Sequence, residues 1–146
     1  MFAVIDTNVI VASLLTHNHD SATARVMDAV YSGKVTPLVC DEMLAEYADV
    51  LYRPRLKLDA AKCEYILSLI SDIGKRIDPA SSAVEMPDED DRVFLEVAMA
   101  GQSEGDSRLV TGNLRHYPKA DFIVSPADFC ALLSPKPPTA PTALLH

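Results

Sequence analysis

The sequence predicts an α/β fold, a parallel β-sheet covered by helices on both faces. Three observations predict it. Short apolar, β-rich runs alternate with longer amphipathic runs along the chain. The first run, Phe2 to Ile5, is apolar throughout, as a strand buried on both faces must be. Asp6 and Asn113 follow two of the expected strands, at the carboxyl edge where sheets of this kind bind their ligands.

The elements follow in order. Phe2 to Ile5 reads as a central strand, and Val9 to Leu15 begins a helix at once. Asp20 or Ser21 caps a second helix, which runs to about Tyr31 and stops near Gly33. Val35 to Cys40 reads as a second strand, with Pro37 hinting at an edge position because proline donates nothing to a ladder. Asp41 caps a helix with Met43, Leu44, Tyr47, Ala48 and Leu51 on one face. Arg53-Pro54 ends it, since the residue before proline avoids the helical region. The next amphipathic helix covers about Asp59 to Ile73, with Ile66, Leu69, Ile70 and Ile73 on its apolar side. Lys75 to Ile77 is a short strand, and Pro79 to Pro87 is a loop. Asp88 to Asp91 open a helix that buries Phe94, Leu95, Val97 and Ala98. After a polar turn, Arg108 to Thr111 and Phe122 to Val124 are strands, and Pro126 to Leu133 is a last short helix. Residues 1–133 are thus expected to form one domain. Residues 134–146 are too rich in proline to bury a core and are expected to be disordered.

Composition narrows the function. Nearly half of the residues are apolar, enough for one core, but no apolar run reaches the length of about 18 residues that a membrane span needs. The N-terminal run lacks a basic leader and is soon broken by Asp6 and Asn8, so it reads as a core strand. The three cysteines, Cys40, Cys63 and Cys130, are far apart and unpaired by spacing. Free thiols in a reducing cytoplasm are the expectation, and zinc is not. A net charge of −8 argues against a broad nucleic-acid surface, while leaving room for a local basic path beside a bound cation.

The chemistry-bearing residues are oxygen donors at wide spacing. Asp6 is either a helix cap or a metal ligand held by the central strand, with Thr7 and Asn8 supplying supporting hydrogen bonds in the second case. Glu46 falls at the border of an apolar stripe, between core and solvent; Glu42 and Asp49 lie on its wet side. The run Asp88-Glu89-Asp90-Asp91 suits a helix N-terminus, where the helix dipole favours acids. Asp91 nevertheless falls on the core-facing side, where a buried carboxylate needs a partner; Asp90 is the alternative one residue away. Asn113 is either a turn residue or a neutral ligand, and Thr111 beside it can hydrogen-bond an acid. Arg53, Arg55 and Lys57 after one helix, and Arg115, His116 and Lys119 after Asn113, are expected phosphate contacts.

Five stretches, read together, carry a resemblance. They are Val4-Ile5-Asp6-Thr7-Asn8-Val9; Glu46-Tyr47-x-x-Val50-Leu51-x-Arg53-Pro54; Pro87-Asp88-x-Asp90-Asp91-x-x-Phe94-Leu95-Glu96-x-Ala98; Leu109-Val110-Thr111-Gly112-Asn113-Leu114-x-His116-Tyr117-Pro118; and Ser125-Pro126-Ala127-Asp128-Phe129. In this order the chain resembles PIN (PilT N-terminus) domains, in particular bacterial ones described as toxins of toxin–antitoxin pairs. The resemblance spans nearly everything before the tail. It implies a three-layer α/β/α fold and a Mg²⁺- or Mn²⁺-dependent ribonuclease that leaves 5′-phosphate and 3′-hydroxyl ends. By position, Asp6, Glu46 and Asp91 match the family's acidic triad, and Asn113 stands where many relatives have aspartate. A neutral Asn113 predicts one well-held metal and a weak second site.

The expected partners are an RNA substrate and a cognate antitoxin protein, and a homodimer is expected because relatives form dimers. Two other readings compete: a metal-dependent phosphatase or DNA nuclease, and a non-catalytic binding module in which Asn113 marks lost activity.

Overall fold

The run Phe2–Ile5 forms β1, whose Ala3, Val4 and Ile5 are buried, as an apolar strand at the centre of a sheet should be. The structure is a computed structural model and describes residues 1–133; the tail expected at 134–146 lies outside the described residues. After β1 come α1 (Thr7–Leu15), α2 (Ala22–Tyr31), β2 (Thr36–Val39), α3 (Asp41–Leu51), α4 (Ala60–Ile73) and β3 (Lys75–Arg76). Then follow α5 (Arg92–Gly101), β4 (Ser107–Val110), β5 (Ile123–Val124) and α6 (Pro126–Leu133). Short 3-10 turns cover Pro54–Leu56, Glu89–Asp91 and Leu114–His116.

The five strands form one all-parallel sheet in the order β3-β2-β1-β4-β5. β1 is therefore central, paired along its length with β4 from Phe2–Ser107 to Ile5–Val110. Among the described residues six helices flank the sheet, giving the expected α/β architecture. α2 packs on α1 and α6, while α3 packs on α4 and α5. Because all strands run one way, their carboxyl ends share one edge, which carries Asp6 after β1 and Thr111 after β4.

Several local expectations are corrected. Pro37 is not on an edge strand: β2 lies between β1 and β3. The ladder explains why this is tolerated. Thr36 N–H turns toward β1, to Met1 O, so the next residue faces the other neighbour, and β3 begins only opposite Leu38. The missing proline N–H thus points where no strand yet runs. Ile73 is 37% exposed and not part of the α4 core stripe, which is Cys63, Ile66 and Ile70. The next inward position falls to Gly74, where a Cβ would come within 3.0 Å of Val39 Cγ2. α1 starts at Thr7, two residues earlier than expected, and the N-cap of α3 is Cys40, with Asp41 in the first turn. The acidic run makes a 3-10 turn capped by Asp88, and α5 itself begins at Arg92.

Candidate active site

Asp6 stands where β1 becomes α1, and its side chain makes no capping hydrogen bond. It is only 4% exposed. A buried carboxylate must be satisfied, and here the side-chain donors converge on one oxygen. Asp6 Oδ2 accepts from Thr111 Oγ1 at 2.8 Å, from Tyr117 OH at 3.0 Å and from Asn8 Nδ2 at 3.2 Å. Among the described residues, no side chain donates to Oδ1. Burial raises the Asp6 pKa above the ordinary carboxylate value, and the hydrogen bonds from Thr111, Tyr117 and Asn8 offset part of the rise.

The Thr-Gly-Asn turn is built around the same cluster. Gly112 N–H donates to Asn8 Oδ1 at 2.9 Å, and a Cβ at residue 112 would stand 3.2 Å from that oxygen. Glycine thus lets the turn close on Asn8. Thr111 Oγ1 also accepts the Asn113 N–H at 3.0 Å. Asn113 itself is exposed, and its side chain takes part in none of these bonds.

Asp91 comes from the other side of the site. The Asp88 side chain accepts Asp90 N–H at 3.0 Å, closing the tight turn that leads into α5. That turn leaves Asp90 exposed and brings Asp91 inward, its side chain 16% exposed. Asp91 Oδ2 lies 3.1 Å from His116 Nδ1. Burial, and then the nearby charge of Asp6, push the Asp91 carboxyl up to about 6, against a smaller lowering by His116.

Glu46 sits beside this pair. Half-buried on α3, it shares a shallow groove of about 270 Å³ with Glu42, Asp49, Asp90 and Val93. Its carboxyl is raised by burial first, then by Asp90 and Asp49, with Asp91 a smaller influence. The neighbouring Tyr47 fixes the helix beneath: its hydroxyl donates to Ile5 O at 2.5 Å, and its ring lies 5.9 Å from that of Phe94 on α5. One buried tyrosine thus ties α3 to the end of β1 and to α5.

The structure gathers Asp6, Asn8, Thr111, Asp91 and His116, and it favours Asp91 over Asp90 as the neighbour of Asp6. Thr7 supports the Asp6 carboxylate through its backbone N–H; its hydroxyl, expected to help, is buried without a partner among the described residues. Arg53 is tied to Asp49 at 2.9 Å, while Arg55 and Lys57 are exposed around the 3-10 turn that follows α3. His116, expected on phosphate, faces Asp91. Tyr117 was not singled out by the sequence: nothing in its spacing reports a partner 111 residues away.

Among the described residues, no three His, Cys, Asp or Glu side chains come together as a ready-made metal site. Two carboxylates are nevertheless enough for Mg²⁺, which is commonly bound by one or two of them and keeps several waters. Asp6 and Asp91 each raise the cost of ionising the site, Asp6 has an oxygen without a side-chain donor, and the Thr7 hydroxyl nearby in sequence is unsatisfied. A hydrated divalent cation fits that donor set: it would lower the cost of ionisation and give free hydrogen-bonding groups a hydration shell. Asp6 and Asp91, with Glu46 beside them, are the residues that could hold it.

No curated protein and no solved structure matches the chain. A family model described as PIN domain matches residues 3–115, from β1 through the turn that carries Asn113. The chain therefore belongs to the PIN domain family, a family of generally metal-dependent nucleases.

Proposed function

We propose that the chain is a Mg²⁺- or Mn²⁺-dependent endoribonuclease, the toxin of a toxin–antitoxin pair, acting in the cytoplasm. One arrangement carries the catalytic part: Asp6, buried at the carboxyl end of the central strand, and Asp91, turned inward before α5, are near enough that the charge of Asp6 disfavours ionisation of Asp91. Such a pair is poised for a hard cation. When bound, the cation supplies Lewis acidity, an activated water and charge neutralisation at a phosphodiester. The protein's own part is positional. Thr111, Tyr117 and Asn8 fix Asp6 through Oδ2, and His116 steadies Asp91. Asn113 offers a neutral oxygen, cannot act as a base, and leaves the acids to carry the charge.

The test is a cleavage assay with purified protein on RNA, DNA and a small phosphoester, each with Mg²⁺, Mn²⁺ or chelator. The proposal expects metal-dependent RNA cleavage that Asp6→Asn abolishes. Cleavage by Asp6→Asn at the wild-type rate would remove Asp6 from the mechanism. The toxin role rests on the resemblance of the motifs. Expression should arrest growth, Asp6→Asn should not, and an adjacent short reading frame should encode the antitoxin.

A second reading has a specific observation in its favour. The exposed, neutral Asn113 after β4 suits a non-catalytic binding module. No hydrolysis of any of the three substrates, with RNA still bound, would select it.

A further inference from the structure

A groove of about 590 Å³ opens beside the candidate active site, between the turn Leu114–His116 and β5. Leu114, Pro118 and Ile123 give it apolar walls. Leu114 is 46% exposed, a large apolar side chain facing water. Tyr117 lines the groove too, and its hydroxyl reaches Asp6. The groove and the acids are therefore separated by one side chain.

Charge distinguishes this approach to the acids from the one on the α3 side. Arg53, Lys75, Arg76, Arg92 and Arg108 are each paired with an acid, respectively Asp49, Glu104, Asp41, Glu89 and Asp106. Arg115 and Lys119, which line the groove, have no acidic partner among the described residues. Asp121 also lines it, so the lining keeps a net positive charge. On the α3 side the approach is acidic, with Glu42, Glu46, Asp49 and Asp90 around the other groove. A polyanion on a chain of net charge −8 meets less repulsion from the Arg115 side than from the α3 side.

We propose that this groove receives one nucleobase of the substrate strand, with Arg115 and Lys119 on the adjoining phosphates. The proposal rests on the ribonuclease reading and adds a base-binding subsite to it. Apolar walls contact a base of any identity, and an arginine plane can stack on it, so the contact is sequence-tolerant. An acidic peptide would share the cations, but it has no reason to seat against a side chain bonded to Asp6. A base there leaves its own backbone beside Asp6 and Asp91.

The experiment is fluorescence anisotropy of the full chain with a labelled oligoribonucleotide in chelator, where metal-dependent cleavage is off. A parallel series uses the same oligonucleotide with one base removed at each position in turn. Leu114→Asp should weaken binding by about fivefold or more, and Leu114→Phe should hold or tighten it. Arg115→Glu should lower the dependence of binding on salt by about one counterion. One abasic position should erase the difference between wild type and Leu114→Asp. Unchanged affinity in Leu114→Asp and Leu114→Phe, both folded by circular dichroism, would overturn the groove while leaving RNA cleavage intact. Displacement of the RNA by an acidic peptide but not by a second oligonucleotide would also overturn it. Wild-type protein that neither binds nor cleaves RNA would instead defeat the ribonuclease reading beneath it.

Discussion

Tyr117 and Asp6 stand 111 residues apart in sequence, yet the Tyr117 hydroxyl donates to Asp6 Oδ2 at 3.0 Å. With Thr111 and Asn8 on the same oxygen, the bond fixes which face of the Asp6 carboxylate remains open. Tyr117→Phe removes that donor and leaves the ring in place. The loss should cost about 1–2 kcal/mol of stability, as for a hydrogen bond to a buried acid. It should also weaken Mn²⁺ binding, because Asp6 then ionises less readily. Urea denaturation and calorimetric titration read the two effects; a variant unchanged in both would mean the bond is idle.

Asp91 gives a pH dependence with a definite sign. Its carboxyl is raised from 3.8 to about 6 by burial and by Asp6. Between those values the folded chain holds a proton that the unfolded chain has released. The Asp91 contribution to stability is therefore most favourable at low pH and is lost as pH rises toward about 6. In chelator, Asp91→Asn should gain on wild type as pH rises from about 4 to 7, by roughly 1 kcal/mol after allowing for solvent screening. Metal affinity should move the other way in wild type, rising over the same window as the proton leaves. Denaturation of both proteins at several pH values checks the first statement, and a Mn²⁺ titration at pH 5 and 7 the second.

Arg92 pins the loop that leads to Asp91. Its guanidinium donates to Ser82 O at 2.8 Å, to Val84 O at 2.7 Å and to both oxygens of Glu89. Arg92→Ala should release residues 79–87 while leaving the sheet protected, since α5 is still held by Phe94 and Leu95. Hydrogen exchange should show faster exchange in that loop and little change in β1 and β4. Faster exchange spread evenly over the chain would contradict a local role.

How much of this was legible in the sequence depended on the range of the interaction. β1, the buried face of α5 and the half-buried setting of Glu46 follow from local periodicity, which is a property of neighbouring residues. The edge position of Asp6 follows from the fold rule for parallel sheets. The interior place of β2 does not, because Pro37 carries a local edge signal and only the late start of β3 reverses it. The inward side of Asp91 was legible too, with Asp90 as the alternative; the 3-10 turn that leaves Asp90 exposed was not, since it rotates each residue differently from an α-helix. Tyr117 was beyond reach altogether: its role comes from a contact with Asp6 that no spacing encodes.

Asn113 bears on the number of cations. It is exposed and carries no charge, so it adds no carboxylate to Asp6 and Asp91. Calorimetry should find one tight Mn²⁺ per chain. Asn113→Asp should strengthen a second, weaker site by about tenfold, as an added carboxylate near a hard cation does. Two tight sites in the wild type would contradict this.

The central claim is that Asp6 and Asp91 share one divalent cation, and anomalous diffraction from a crystal soaked in Mn²⁺ tests it most directly. A single strong peak in contact with Asp6 Oδ1 and an Asp91 oxygen is expected. A peak bound elsewhere, or an Asp6–Asp91 pair that stays empty at saturating Mn²⁺, would contradict it.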